Sequence, residues 1–322
     1  MPAYSKPFLS VEEQIQRLKS RGLEITDEAT AAAILQRTGY YRLSAYWFPF
    51  RQASSAQNHL QEERFIPGSC FQDAVALYVY DKKLRLLLLD AIERIEISVR
   101  VSIAHHLGQI DTFAYENTLL LRNEFTKPVN TQTTKPNHLA WLNKYHLLEN
   151  KSQEEFIRHF RQKYDSHLPI WIAIELWDFG LLSTFYYGMR IRDKKIIASQ
   201  YHIPDWTLLE SWLRTLNFVR NVAAHHCRLW NRNIVNRPKL PFWGQMTEFD
   251  TLTYNRQSIQ RLYGVLSILL YLIKEIHPNS QWPERLKQLI LDFPATQTVN
   301  IKHMGFPTEW ETEPLWNIEY PS

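Results

Sequence analysis

Between the Pro67-Gly68 turn and Gly108 the chain runs on through "YDKKLRLLLLDAIERIEISVRVSIAHH", and the pattern predicts one long helix over about residues 70–106. Apolar residues occupy nearly all of its circumference, as expected for a helix buried at the centre of a helical protein. The composition agrees. A chain of 322 residues with 45% hydrophobic content has ample material for a large core. Only 9 glycines are present and β-branched alternation is scarce, so an all-α fold is expected.

Cys70 and Cys227 are the only cysteines. Two cysteines make no disulfide framework, and a reducing, cytoplasmic setting is expected. The start "MPAYSKPFLS" lacks the apolar core of a signal peptide. The runs "LLLL" and "VLSILLYLI" fall short of the ~20 residues that span a bilayer, so no membrane partner is expected. No cofactor or metal is expected either. Adjacent histidines diverge by about 100° on a helix, the chelating His-x3-His spacing does not occur, and no glycine-rich phosphate loop is found.

Ser10 and Glu13 form a capping box for a first short helix, and "DEATAAAILQRTG" reads as a second. The aromatic block "YYRLSAYWFPFR" follows; it suits core packing better than base stacking. A polar loop (52–64) precedes the long helix and a Thr/Asn/Pro-rich surface loop (123–137) follows it. Further helices are expected at about 138–148, 152–164, 170–178, 181–189, 205–230, 255–276 and 283–292, with a proline-punctuated loop at 232–253. The remainder reads as an irregular tail pinned by two tryptophans. The organisation expected is an N-terminal helical and aromatic extension (1–67), a helical core (68–294) and a C-terminal tail (295–322) packed on it, together one compact unit.

Charge is distributed unevenly. From Ser211 to Thr247 there is no acidic residue, while Arg214, Arg220, Arg228, Arg232, Arg237 and Lys239 lie there. The tail is acidic, with Glu309, Glu311, Glu313 and Glu319 against Lys302. A basic island suits a polyanion such as RNA, and equally a solvated basic face. Within it stands "RNVAAHH", residues 220–226. With about 100° per residue, Arg214, Asn217, Arg220, Asn221, Ala224, His225 and Arg228 share an arc of about 140°, and His226 points into the apolar face. A histidine titrates near neutrality, an arginine offers a fork of donors to phosphate, and an amide orients either one. These groups suffice to cut RNA without metal, by 2′-hydroxyl attack on phosphorus that leaves a 2′,3′-cyclic phosphate. One imidazole is a thin set for acid and base together, and a dimer would supply two. A second Arg-x4-His spacing, Arg100 to His105, lacks the asparagine. Glu96 and Arg100 there read as an internal i,i+4 ion pair, with Glu93 or Glu96 as the sharper choice for orienting the catalytic arginine or histidine.

The blocks "KPFLSVEEQIQRLKSRGLEI", "TGYYRLSAYWFPFR", "YDKKLRLLLLDAIERIEISVR", "PIWIAIELWDFGLLSTFYYGM", "NFVRNVAAHHCRLWNR" and "MGFPTEWETEPLW" occur in this order. Together they resemble the bacterial Abi-like (AbiD/AbiF, Abi_2) abortive-infection family, from about residue 6 to residue 316. That family is similar to the HEPN superfamily of α-helical, often metal-independent endoribonucleases. Its Arg, then Asn/Asp/His, then x3, then His pattern falls on Arg220, Asn221 and His225, and not on His226. The resemblance implies a HEPN-type helical bundle, a homodimer with a composite site, and a role in phage defence. It also admits a regulatory noncoding RNA or an antitoxin as a partner.

The reading of the whole is an all-α endoribonuclease. His225 is the expected general acid/base, Arg220 the phosphate stabiliser and Asn221 the orienting group. Glu93, Glu96 and Arg100 are supporting residues, and Arg214, Asn217, Arg228 and Arg232 contact RNA. The rival reading is a non-catalytic RNA- or protein-binding helical module.

Overall fold

Ser10 Oγ accepts the Glu13 N–H at 3.2 Å while the Glu13 carboxylate accepts the Ser10 N–H at 2.7 Å, so the capping box read from the sequence does start α1 (Val11–Ser20). Asp27 caps α2 (Glu28–Thr38). Gly39, at φ 84°, then turns the chain directly into α3 (Tyr40–Trp47), a conformation open to glycine at little cost. The computed structural model describes residues 7–52, 63–127, 137–164 and 167–317. Most of the polar loop at 52–64 and of the surface loop at 123–137, together with Glu319, lies outside the described residues.

The long helix forms as α4 (Phe71–Gly108), 38 residues without interruption. The short α5 (Asn123–Thr126) and α6 (Asn137–Lys151) follow, then α7 (Glu155–Lys163), α8 (Ile170–Ala173) and α9 (Phe179–Gly188). Next come α10 (Ile191–Ser199) and α11 (Trp206–Ala224). After a loop stand α12 (Asp250–Tyr254), α13 (Arg256–Ile259), α14 (Leu262–Ile276) and α15 (Trp282–Leu291). Among the described residues there is no β-strand, only three isolated bridges, so the fold is all-α. None of the described helices is long and apolar enough to cross a membrane.

α4 is the hub. It packs against α3, α8, α11 and α14 through Leu77, Leu84, Leu88, Ala91, Ile95, Val99 and Ile103, which are all buried. Its circumference is less enclosed than the sequence pattern predicts. Leu86 is 59% exposed, Ile97 50% and Val101 44%, and they line an open side of the helix. The fully enclosed helix is α14, where every residue from Leu262 to Ile273 is buried.

α5 and α12 form inside stretches expected to be loops, and three further differences have identifiable reasons. α10 was not foreseen, because its buried face is Asp193, Lys194, Ile197 and Ala198, and two of those four are charged. Lys194 Nζ is paired with Glu210 on α11, and Asp193 Oδ1 meets His106 Nε2 at 2.9 Å, so each charge has a partner inside. The helix expected over 255–276 divides at Gln260 and Arg261. The Gln260 carbonyl accepts the Ile234 N–H at 2.9 Å, and the Arg261 guanidinium donates to the Asn231 carbonyl at 2.6 Å. The third, at the end of α11, matters for function and is taken up below.

The tail is pinned as expected. Trp310 and Trp316 are buried, and Trp316 stacks on Tyr263 of α14 with ring centroids 5.5 Å apart.

Candidate active site

α11 begins at an Asp205 cap and buries Trp212, Leu216 and Val219 on its apolar side, and Leu213 within the arc of the stripe itself. That fixes its rotation. Arg214 and Asn221 are exposed and Asn217 and Arg220 half-buried on the other side, as the stripe requires. The Arg220 guanidinium donates to Asn221 Oδ1 at 3.2 Å.

The helix stops at Ala224, six residues before the sequence-based end. His225 is its C-cap. His226 adopts a left-handed backbone with φ 57°, and its N–H donates to the Ala223 carbonyl at 3.0 Å while the Cys227 N–H donates to Val222, also at 3.0 Å. This pair of bonds is a Schellman ending, with a histidine at the position glycine usually holds. Two expectations are corrected by it. His226 is exposed and does not enter the core. Arg228 lies beyond the helix, so helical periodicity no longer assigns its direction. Its guanidinium is half-buried, donates to the Ala45 carbonyl of α3, and is pulled below its usual pKa by burial. It is therefore not an exposed phosphate contact. Arg232 is also half-buried, with Nε on the Arg228 carbonyl at 3.0 Å.

His225 is exposed, and its backbone N–H donates to the Asn221 carbonyl at 3.0 Å. The ring itself makes no hydrogen bond among the described residues, so what positions it is the turn that follows. Asp81 of α4, fully buried, accepts the Trp230 N–H at 2.8 Å, the Leu229 N–H at 3.2 Å and the Tyr46 hydroxyl at 2.7 Å, and pairs with Arg85 one turn along. Burial pushes the Asp81 carboxyl up, and these donors oppose it. Arg42 of α3 donates to the His226 carbonyl at 2.9 Å. The aromatic block is thus a packing element, and it also grips the turn after the motif. Sequence reasoning missed this role of Asp81, Tyr46, Arg85 and Arg42. The available signal was the i,i+4 spacing of Asp81 and Arg85 on α4, since such charges are buried only when paired.

Two carboxylates feel the charge of Arg220. Glu96 of α4 hydrogen-bonds Arg100 at 2.5 Å; burial pushes its carboxyl up, and the charges of Arg100 and Arg220 pull it back. Asp178 caps α9 through the Leu181 N–H at 2.7 Å and meets Lys144 Nζ at 2.6 Å. Burial opposes its ionisation, but Lys144, the Leu181 N–H and the Arg220 charge outweigh this and hold it below the usual carboxylate range. Lys144 and Asp178 were not foreseen; the signal was an aspartate in capping position within "WDFG". Glu93 is exposed on α4. Arg100 is spent on Glu96 and the Trp177 carbonyl, so the second Arg-x4-His spacing holds an internal ion pair, with His105 exposed beyond it. No group of three or more His, Cys, Asp or Glu among the described residues is placed to hold a metal ion.

The fold and site define an all-helical protein that presents an Arg-Asn-x3-His helix end, clamped from behind by a buried carboxylate. The chain belongs to the Abi-like protein family (Abi_2), whose model matches residues 33–231 and so takes in α3, α4, α11 and the clamped turn. No curated protein and no solved structure matches it.

Proposed function

We propose that this chain is a metal-independent endoribonuclease of the HEPN type, acting in abortive-infection phage defence. The observation that carries the reading is the exposed end of α11, where Arg220, Asn221 and His225 stand together and a buried network fixes the turn behind them. His225 takes the 2′-hydroxyl proton or gives one to the departing 5′-oxygen. Arg220 stabilises the charge gathering on the phosphoryl oxygens, and Asn221 holds the guanidinium in line. Glu96 and Asp178 act on Arg220 through their charge. Arg214 and Asn217 extend the contact along the RNA backbone.

A single His225 ring with no orienting partner is half a site. A second copy of the chain supplies the other half, and the open apolar side of α4 around Ile97 and Val101, next to Glu96 and Arg100, supports its docking there. The same unoriented ring also favours a second reading, a module that binds RNA without cutting it.

The test uses labelled RNA in EDTA with wild type and His225→Ala. Cleavage that survives EDTA, ends in 2′,3′-cyclic phosphate and disappears in the variant is the expected result. Equal binding by both proteins without cleavage would establish the non-catalytic module instead.

A further inference from the structure

A cavity of about 430 Å³ opens between α5, α6 and α9, within the ~300–1,000 Å³ typical of sites for small organic groups. Its floor is aromatic and fixed. Trp141 is buried with its indole N–H on the Leu181 carbonyl at 2.9 Å. Phe125 is buried against Gly188, where a Cβ would stand 2.2 Å from the ring. One wall is Tyr187, 38% exposed, with the Arg122 guanidinium 4.8 Å from its ring centroid. The rim carries an amide and a hydroxyl, Asn137 and Thr184, both exposed.

The cavity leads to the motif. Gly180 forms the threshold: a Cβ there would lie 3.1 Å from Asp178 Oδ1, 3.7 Å from Lys144 Nζ and 3.7 Å from Asn217 Oδ1. Asn217 stands one helical turn before Asn221 and three residues before Arg220 on α11. The Lys144–Asp178 pair, the Asn217 amide and the Arg220 guanidinium therefore follow one another from the cavity mouth to the candidate site.

We propose that this cavity receives one unpaired nucleobase of the RNA, next to the phosphate held at Arg220; the proposal rests on the ribonuclease reading. Planar aromatic walls suit a base, which stacks or packs edge-on against them. Asn137 and Thr184 offer donors and acceptors to its edge, which a lipid tail or an apolar side chain has no polar atoms to meet. Lys144, at the threshold, meets the adjoining phosphate. The cavity is then the place where base preference is set, and bases without flanking duplex enter it.

The full chain is titrated with each of the four ribonucleoside 3′-monophosphates by calorimetry, and 4-thiouridine 3′-monophosphate is photo-crosslinked and mapped by mass spectrometry. The expected result is binding of at least one nucleotide, with crosslinks confined to the peptides carrying Trp141 and Lys144 or Thr184 and Tyr187. Thr184→Trp, an exposed position whose new ring fills the cavity, should weaken binding at least tenfold with an unchanged circular dichroism spectrum. Ala140→Trp, also exposed at the rim, serves the same purpose if Thr184→Trp fails to fold. Crosslinks elsewhere, no nucleotide binding, or undiminished affinity in the filled variant would overturn the proposal. Nucleotide captured here by a protein that never cuts RNA would keep the cavity and remove the nuclease. RNA cleavage with affinity indifferent to Thr184→Trp would do the reverse.

Discussion

Two adjacent histidines at the end of α11 have opposite fates. His225 caps the helix, and His226 carries the left-handed backbone that ends it. An L-residue in that conformation costs about 1–2 kcal/mol, which glycine avoids at the expense of a more flexible unfolded chain. His226→Gly should therefore stabilise the protein by up to about 1 kcal/mol in urea unfolding and leave RNA cleavage intact, whereas His225→Ala should abolish cleavage. A cleavage loss in both would show that the pair acts together. Asp81 sets the other extreme. Asp81→Ala leaves Arg85 buried without its partner and two backbone N–H groups without an acceptor, so a loss of about 3–5 kcal/mol is expected from chemical denaturation. His138, buried in α6, gives a pH test. Burial pushes its imidazole below the ordinary 6.5, and the Tyr115 carbonyl, accepting its N–H at 2.7 Å, opposes this. Because the folded state then prefers the neutral ring, stability is full above pH 6.5 and falls as pH drops towards and through the depressed value. Urea midpoints across pH 5–7.5 should show that fall in the wild type and a flatter profile in His138→Phe.

At the scale of elements, the sequence told most where glycine, proline and caps punctuate it. α1, α2 and the ends of α4 follow from Ser10, Asp27, Pro67-Gly68 and Gly108. It told least where tertiary bonds override periodicity. α10 was hidden by Asp193 and Lys194, whose partners His106 and Glu210 come from distant elements. The division between α13 and α14 depends on bonds from Gln260 and Arg261 to the 231–234 segment. The stripe of α11 was legible through Asn221 and His225 because the wheel holds to Ala224. It failed for His226 and Arg228 because nothing local announces that a histidine will take a left-handed turn. Lys144 and Asp178 approach from α6 and the start of α9, and no spacing in the chain connects them to Arg220.

For the molecule as a whole, the buried surface of α4 accounts for the arrangement of α3, α8, α11 and α14, while Leu86, Ile97 and Val101 on its open side stay exposed among the described residues. Ile97→Glu tests whether a second copy covers it. Since Ile97 is already half exposed, the substitution should leave the melting temperature of the isolated fold within a few degrees. Sedimentation should nevertheless shift from dimer to monomer, and cleavage should fall with it. An unchanged sedimentation coefficient with full cleavage would remove this face from the assembly.

The bond from Arg42 to the His226 carbonyl joins residues 184 positions apart, and Arg228 and Asp81 make similar long reaches. Loosening the third helix would therefore take away the Arg42 and Ala45 holds and leave the motif turn to Asp81, without touching the motif. A single nick or a competing ligand near residues 40–47 would then leave every proposed catalytic group in place and slacken the turn that aims them.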